Sequence, residues 1–226
     1  MTTPLFPDED LVRTREIMAR VQPILDEMGE RTTVQLFRGQ PFPVLISSLL
    51  SARTREEDTK TAMDHLFALA DNPADMAKLA YEDVLKAIDA VQYPGNKAEY
   101  ILKTSALVAE QGRVPDTLDE LMALPGIGWK SAVLVLWLAF GLAPEICVDV
   151  HVARIGKRLG LVNTSTKQPQ KVSQELMTKV PKEIWGPWNP MMVNFGRTIC
   201  LPTYPKCPTC PINDLCPKVG VKGITR

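Results

Sequence analysis

Apolar residues recur at three- and four-residue spacing along most of the 226-residue chain, the signature of helices that bury one face. The segment "DLVRTREIMARVQPILDEM" reads as a helix, with Pro23 as an expected kink or break. "PFPVLISSLLSA" reads as a buried helix behind a proline start. "TKTAMDHLFALA", "PADMAKLAYEDVLKAIDAV" and "KAEYILKTSALVAEQG" are amphipathic helical patterns, separated by Asn72-Pro73 and by Tyr93-Pro94-Gly95-Asn96. "TLDELMAL" opens with Thr117 and has Glu120 three residues on, a capping-box pattern. A helix near Trp129 to Phe140 follows, stopped by Gly141 and Pro144, and "DVHVARIGKRLGL" and "QKVSQELMTKV" continue in helical style. Strand signals are weak, so the predicted fold class is all-α.

Charge changes this picture only locally. The formal net charge is zero. Residues 1–140 carry 14 Lys+Arg and 21 Asp+Glu, while residues 141–226 carry 12 and 5. A neutral chain with a basic half can still hold a polyanion on one face, although solvated faces of unequal charge give the same count. The acidic start "MTTPLFPDED" has no apolar segment of a secretory signal and does not resemble a transit peptide. No apolar run reaches the length of a membrane span. The expectation is a soluble cytoplasmic monomer.

Two stretches carry chemistry. Cys200, Cys207, Cys210 and Cys216 have the spacing C-x6-C-x2-C-x5-C, in a loop stiffened by Pro208, Pro211 and Pro217. Four thiolates so close in sequence suit a metal centre. Zinc ribbons usually space two C-x2-C pairs more widely, and [4Fe–4S] clusters take compact runs. The spacing favours iron–sulfur and leaves zinc open. Cys147, in an apolar context, reads as a small buried hydrophobe.

The second stretch is "LPGIGWKSA", a tight Gly/Pro hairpin between two helices. Gly126 and Gly128 permit backbone angles other residues resist. The first N–H groups of a helix lack intrahelical partners, so hairpin and helix start together form an anion site, plausible for a DNA phosphate and equally compatible with an ordinary αα-turn. Lys130 at this helix start is expected to be partly buried, with its neutral amine favoured by burial and by the helix dipole. A neutral amine can form a Schiff base. Asp149, in "EICVDVHVARI", is the carboxylate available to take its proton, and a helix N-cap role is compatible with this. His151 reads as a packing or capping residue.

"LPGIGWKSA", "VDVHVARI" and the four-cysteine spacing, in that order, resemble the endonuclease III family of DNA glycosylases, within the helix-hairpin-helix superfamily. The resemblance runs from about Pro41 to Cys216. It implies two helical domains with DNA in the cleft between them: a six-helix barrel at residues 34–142, and a cluster domain formed by residues 1–33 and 143–226. It implies a [4Fe–4S] cofactor on the four cysteines, damaged double-stranded DNA as partner, and a bifunctional glycosylase and AP lyase of base excision repair acting on oxidised pyrimidines. Lys130 and Asp149 are then the catalytic residues. Gly126, Gly128, Arg53, Tyr93 and Lys206 are the expected DNA contacts. Arg53 stands where the family often has a glutamine that fills the gap left by a flipped base. Tyr93 stands in the wedge region. Lys206 is the only base between Cys200 and Cys207, where relatives often carry more. Trp129 is bulkier than the residue usual beside the nucleophile. A monofunctional mismatch glycosylase is disfavoured by Lys130, and a noncatalytic DNA-binding module by Lys130 and Asp149 together.

Overall fold

The computed structural model describes residues 9–29 and 32–222. Among them every regular element is a helix, and no helix is long and apolar enough to cross a membrane. The chain divides into two compact units, residues 31–142 and residues 1–30 with 143–226.

The first unit holds α2 (Thr33–Leu36), α3 (Pro41–Ser51), α4 (Glu56–Leu69), α5 (Pro73–Met76), α6 (Tyr81–Ala87), α7 (Pro94–Gln111), α8 (Leu118–Met122) and α9 (Trp129–Phe140). Its centre is α3, which buries Phe42 and every residue from Val44 to Leu50. A helix apolar all round must be covered on all sides, and α3 packs against α2, α4, α7 and α9. The sequence stretch 73–91 forms two helices instead of one. Asn72 caps α5 by accepting from the Asp75 N–H, and the chain turns again before α6. The short α2 was not marked by periodicity. It is fixed by Glu56, whose carboxylate accepts from both the N–H and the hydroxyl of Thr33.

The second unit holds α1 (Glu9–Met28), α10 (Val150–Arg158), α11 (Pro169–Met177) and α12 (Trp185–Thr198), with two 3₁₀ turns, Lys182–Ile184 and Cys207–Thr209. Pro23 does not break α1. Its ring lies on the exposed side, while Ile17, Val21 and Leu25 form the buried stripe and α1 packs on α12. Helix α12 was not legible in advance. It carries Pro190 internally and buries Trp188, Met191, Met192 and Phe195. A Cβ on Gly196 would stand 2.5 Å from His151 Nδ1, so α12 meets α10 closely only because this residue is glycine. The acidic α1 belongs with the basic C-terminal half, so this unit has 15 Lys+Arg against 12 Asp+Glu. The charge contrast seen along the sequence is largely neutralised in the fold.

Candidate active site and cysteine centre

The hairpin between α8 and α9 is anchored from below. Leu121, Leu124 and Ile127 are buried, and Ile127 N–H donates to Leu124 O at 3.2 Å. Thr117 caps α8, its hydroxyl accepting from Glu120 N–H. The two glycines differ. Gly126 has φ +78, and a Cβ there would lie 2.4 Å from Tyr100 Cδ2 and 3.0 Å from Leu49 Cδ2. Gly128, the N-cap of α9, has φ −94 and ψ 172, an ordinary extended conformation, and a Cβ on it would meet nothing within 4 Å. Gly126 is thus required by the protein's own packing. Gly128 faces open space, which suits the approach of an external group.

These differences predict separable variants. Gly126→Ala combines left-handed strain with overpacking and is expected to destabilise this unit by roughly 2–4 kcal/mol. Gly128→Ala should cost only about 0.5–1 kcal/mol as a poorer N-cap, yet weaken duplex binding several-fold. Thermal unfolding and a fluorescence binding titration separate the two effects. Equal loss of stability in both variants would contradict the assignment.

Lys130 is the second residue of α9. It is exposed, not partly buried as expected. The apolar run that surrounds it in sequence points elsewhere: Ala132, Val133, Val135 and Leu136 face the core, and the N-terminal turn carries Lys130 on the outer side. Asp149 belongs to the other unit. It is half-buried and caps α10, with Oδ1 accepting from His151 N–H and Val152 N–H, both at 2.9 Å. Its apolar setting is one-sided, because Val148 is buried and Val150 is 73% exposed. His151 packs against α12 beside Arg154, whose Nη2 lies 3.2 Å from its Nδ1.

Arg53 and Tyr93 are both exposed and both left-handed, with φ 56 and φ 57. Tyr93 directly precedes Pro94, the first residue of α7. Beneath them lies Lys97, a residue sequence reasoning did not single out. Only 5% exposed, its Nζ donates to Leu50 O at 2.6 Å, Ala52 O at 2.8 Å and Thr54 Oγ1 at 2.7 Å. Burial pushes its ammonium down to about 8.

All four cysteines of the C-terminal run line one pocket, with Ile155, Leu159, Phe195, Ile199 and Ile212 on its walls. Burial pushes the Cys210 thiol up to about 11, and it raises Cys216 as well. Neighbouring sulfurs add to the shift, since thiolates repel in a low-dielectric cavity. Among the described residues, no three His, Cys, Asp or Glu side chains converge to grip a single metal ion. Arg158, also missed from sequence, encloses the run. Its Nη1 donates to Cys200 Sγ at 3.2 Å and to Leu201 O at 2.7 Å, and its Nη2 donates to Pro202 O at 2.8 Å. The signal was the basic end of α10, "GKR". Lys206 is exposed, and Cys147 is buried.

The unit of residues 31–142 carries a helix-hairpin-helix with a lysine at the second helix's start, and the other unit carries a pocket lined by four cysteines. A model of the HhH-GPD superfamily of base excision DNA repair proteins matches residues 46–182. Endonuclease III of Thermotoga maritima is 44% identical over 178 residues, covering 78% of this chain and 82% of its own. Endonuclease III of Escherichia coli is 35% identical over 203 residues, covering 89% and 93%. A solved trapped endonuclease III–DNA covalent intermediate, an estranged-adenine complex, is similar with a TM-score of 0.76. It is 33% identical, with coverage of 91% of this chain and 96% of that one. The chain belongs to the endonuclease III family. Members of that family are DNA glycosylase/AP lyases of base excision repair, and so is this chain. They generally carry a [4Fe–4S] cluster.

Proposed function

We propose that this enzyme removes oxidised pyrimidines from duplex DNA, with Lys130 as the nucleophile and Asp149 as its proton acceptor. The observation that carries the reading is the exposed residue Lys130 on the first turn of α9, directly after the anchored hairpin. The hairpin around Gly128 grips a backbone phosphate, reading the strand and not its sequence. The damaged nucleotide flips out of the stack and covers Lys130, so that DNA supplies the desolvation the free chain does not. The amine attacks C1′ and the glycosidic bond breaks with departure of the base. Asp149 takes the amine proton and balances positive charge on the sugar. Its N-cap bonds hold the carboxylate in place, which supports this role. The C1′–O4′ bond then breaks, O4′ takes up a proton, and the resulting iminium acidifies a C2′ proton. Its removal expels the 3′ oxygen and cuts the strand. Arg53 fills the gap opposite the flipped base, Tyr93 wedges into the duplex, and Lys206 contacts phosphate.

The four cysteines hold a [4Fe–4S] cluster in this reading. The four thiols lining one pocket provide the all-sulfur donor set that such a cluster takes, in the compact sequence run typical of it. When bound, the cluster would tie together the loop that bears Lys206. The residues 31–142 unit corresponds to the barrel domain, and the other to the cluster domain.

The test is excision across duplexes containing oxidised pyrimidines with each opposite base, together with nicking of an abasic duplex. Prompt nicking and base release are expected. Arg53→Gln should change the ranking of opposite bases. Base release without nicking would replace the bifunctional reading with a monofunctional one.

A further inference from the structure

Lys97 sits where two strained turns meet. Its ammonium closes the C-terminal end of α3 through Leu50 O and Ala52 O, the negative end of that helix. The same Nζ donates to Thr54 Oγ1, which also accepts from the Gln92 N–H at 3.2 Å. The Lys97 N–H donates to Tyr93 O at 3.2 Å. One residue therefore touches the loop on both sides of Arg53 and the turn that contains Tyr93. Both turns are held in left-handed backbone that arginine and tyrosine do not favour. Such conformations persist when the surroundings over-determine them, and they concentrate at functional sites.

A plain packing role does not account for this arrangement. An apolar side chain would fill the space without the cost of burying an ammonium. What lysine supplies is three donors converging on Leu50 O, Ala52 O and Thr54 Oγ1 around the Arg53 turn, with Thr54 carrying the link on to the Gln92 N–H beside Tyr93.

We propose that Lys97 is a positioning residue that locks Arg53 and Tyr93 into one rigid element, so that both enter the duplex together. The proposal rests on the DNA-wedging roles assigned to those two residues above. Thr54 is the shared joint: its hydroxyl accepts from both sides and donates to Ala52 O at 3.3 Å. Lys97 touches no substrate. It acts only on DNA that must be opened, and a nucleotide already unpaired does not need the wedge.

The experiment compares full-length wild type, Lys97→Met and Thr54→Val on two probes. One is excision from a lesion duplex with each opposite base; the other is borohydride trapping on a single-stranded abasic oligonucleotide. For Lys97→Met, the ratio of duplex excision to single-strand trapping should fall about tenfold or more, since buried bonds to a charged donor are lost. Discrimination between opposite bases should flatten as Arg53 loses its fixed direction. Thr54→Val should move both readouts in the same direction by less, because it keeps the ammonium and two of its partners. If Lys97→Met does not fold, Thr54→Val decides alone. A parallel loss on both probes, or no change in the ratio, would overturn the proposal and return Lys97 to a purely structural role. A wild type that excises no base would instead overturn the function proposed above.

Discussion

Lys130→Gln is expected to abolish borohydride trapping on an abasic duplex and to reduce strand nicking by roughly a thousandfold or more, as removal of a covalent nucleophile does. Folding should be indifferent to the change. Lys130 is exposed on the first turn of α9 and the core residues of that helix begin at Ala132. An exposed substitution away from a cap changes stability within about 0.5 kcal/mol. Duplex binding should also persist, because the hairpin and Gly128 are untouched. The informative signature is therefore a variant that unfolds and binds like wild type but forms no adduct. Trapping at the wild-type level in this variant would move the nucleophile to another amine. Trapping lost together with stability would show only that the hairpin had collapsed.

Helical periodicity made much of this fold legible, and its failures have physical causes. Helices α3, α7 and α9 follow directly from their apolar spacing and proline or glycine ends. Helix α12 does not, because Pro190 and Gly196 argue locally against a helix. Burial of Trp188 and Phe195 overrides that local preference. The break between α5 and α6 lies in an alanine- and leucine-rich stretch that carries no turn residue strong enough to reveal it. At the site, residue types and spacing nominate Lys130, Asp149 and the cysteines as candidates, but their environments are harder to infer. Neighbours in sequence suggest a partly buried Lys130, yet three-dimensional phase places the residue on the exposed side. Gly126 and Gly128 looked equivalent, and only the positions of Tyr100 and Leu49 distinguish them. Lys97 is the converse case. In "GNKAEY" it reads as an ordinary surface lysine, and only the packing of α7 beside the end of α3 buries it.

Cys210→Ala should remove the broad visible absorbance expected of the wild-type enzyme, together with its complement of about four iron per chain. The reason lies in the cavity. Burial and three neighbouring sulfurs push the Cys210 thiol up to about 11, so this thiol keeps its proton at neutral pH unless a cationic centre displaces it. With one ligand missing, the remaining three have less compensation for their desolvation and mutual repulsion. The proline-stiffened loop then loses the metal bonds that close it and is left with Arg158, whose guanidinium reaches Cys200, Leu201 and Pro202 and whose carbonyl accepts from Cys216 Sγ and Val219 N–H. Metal-linked folding energy is large, several kcal/mol or more, so limited proteolysis should cut the variant within residues 200–216 and spare wild type. Residues 31–142 have their own core in α3, α7 and α9 and should retain their protection. Trapping through Lys130 should weaken through poorer duplex binding, with Lys206 no longer held, and should recover in part at low salt. Wild type isolated with one zinc per chain and no iron would overturn the cluster assignment. A Cys210→Ala variant that kept full iron would remove Cys210 from the ligand set.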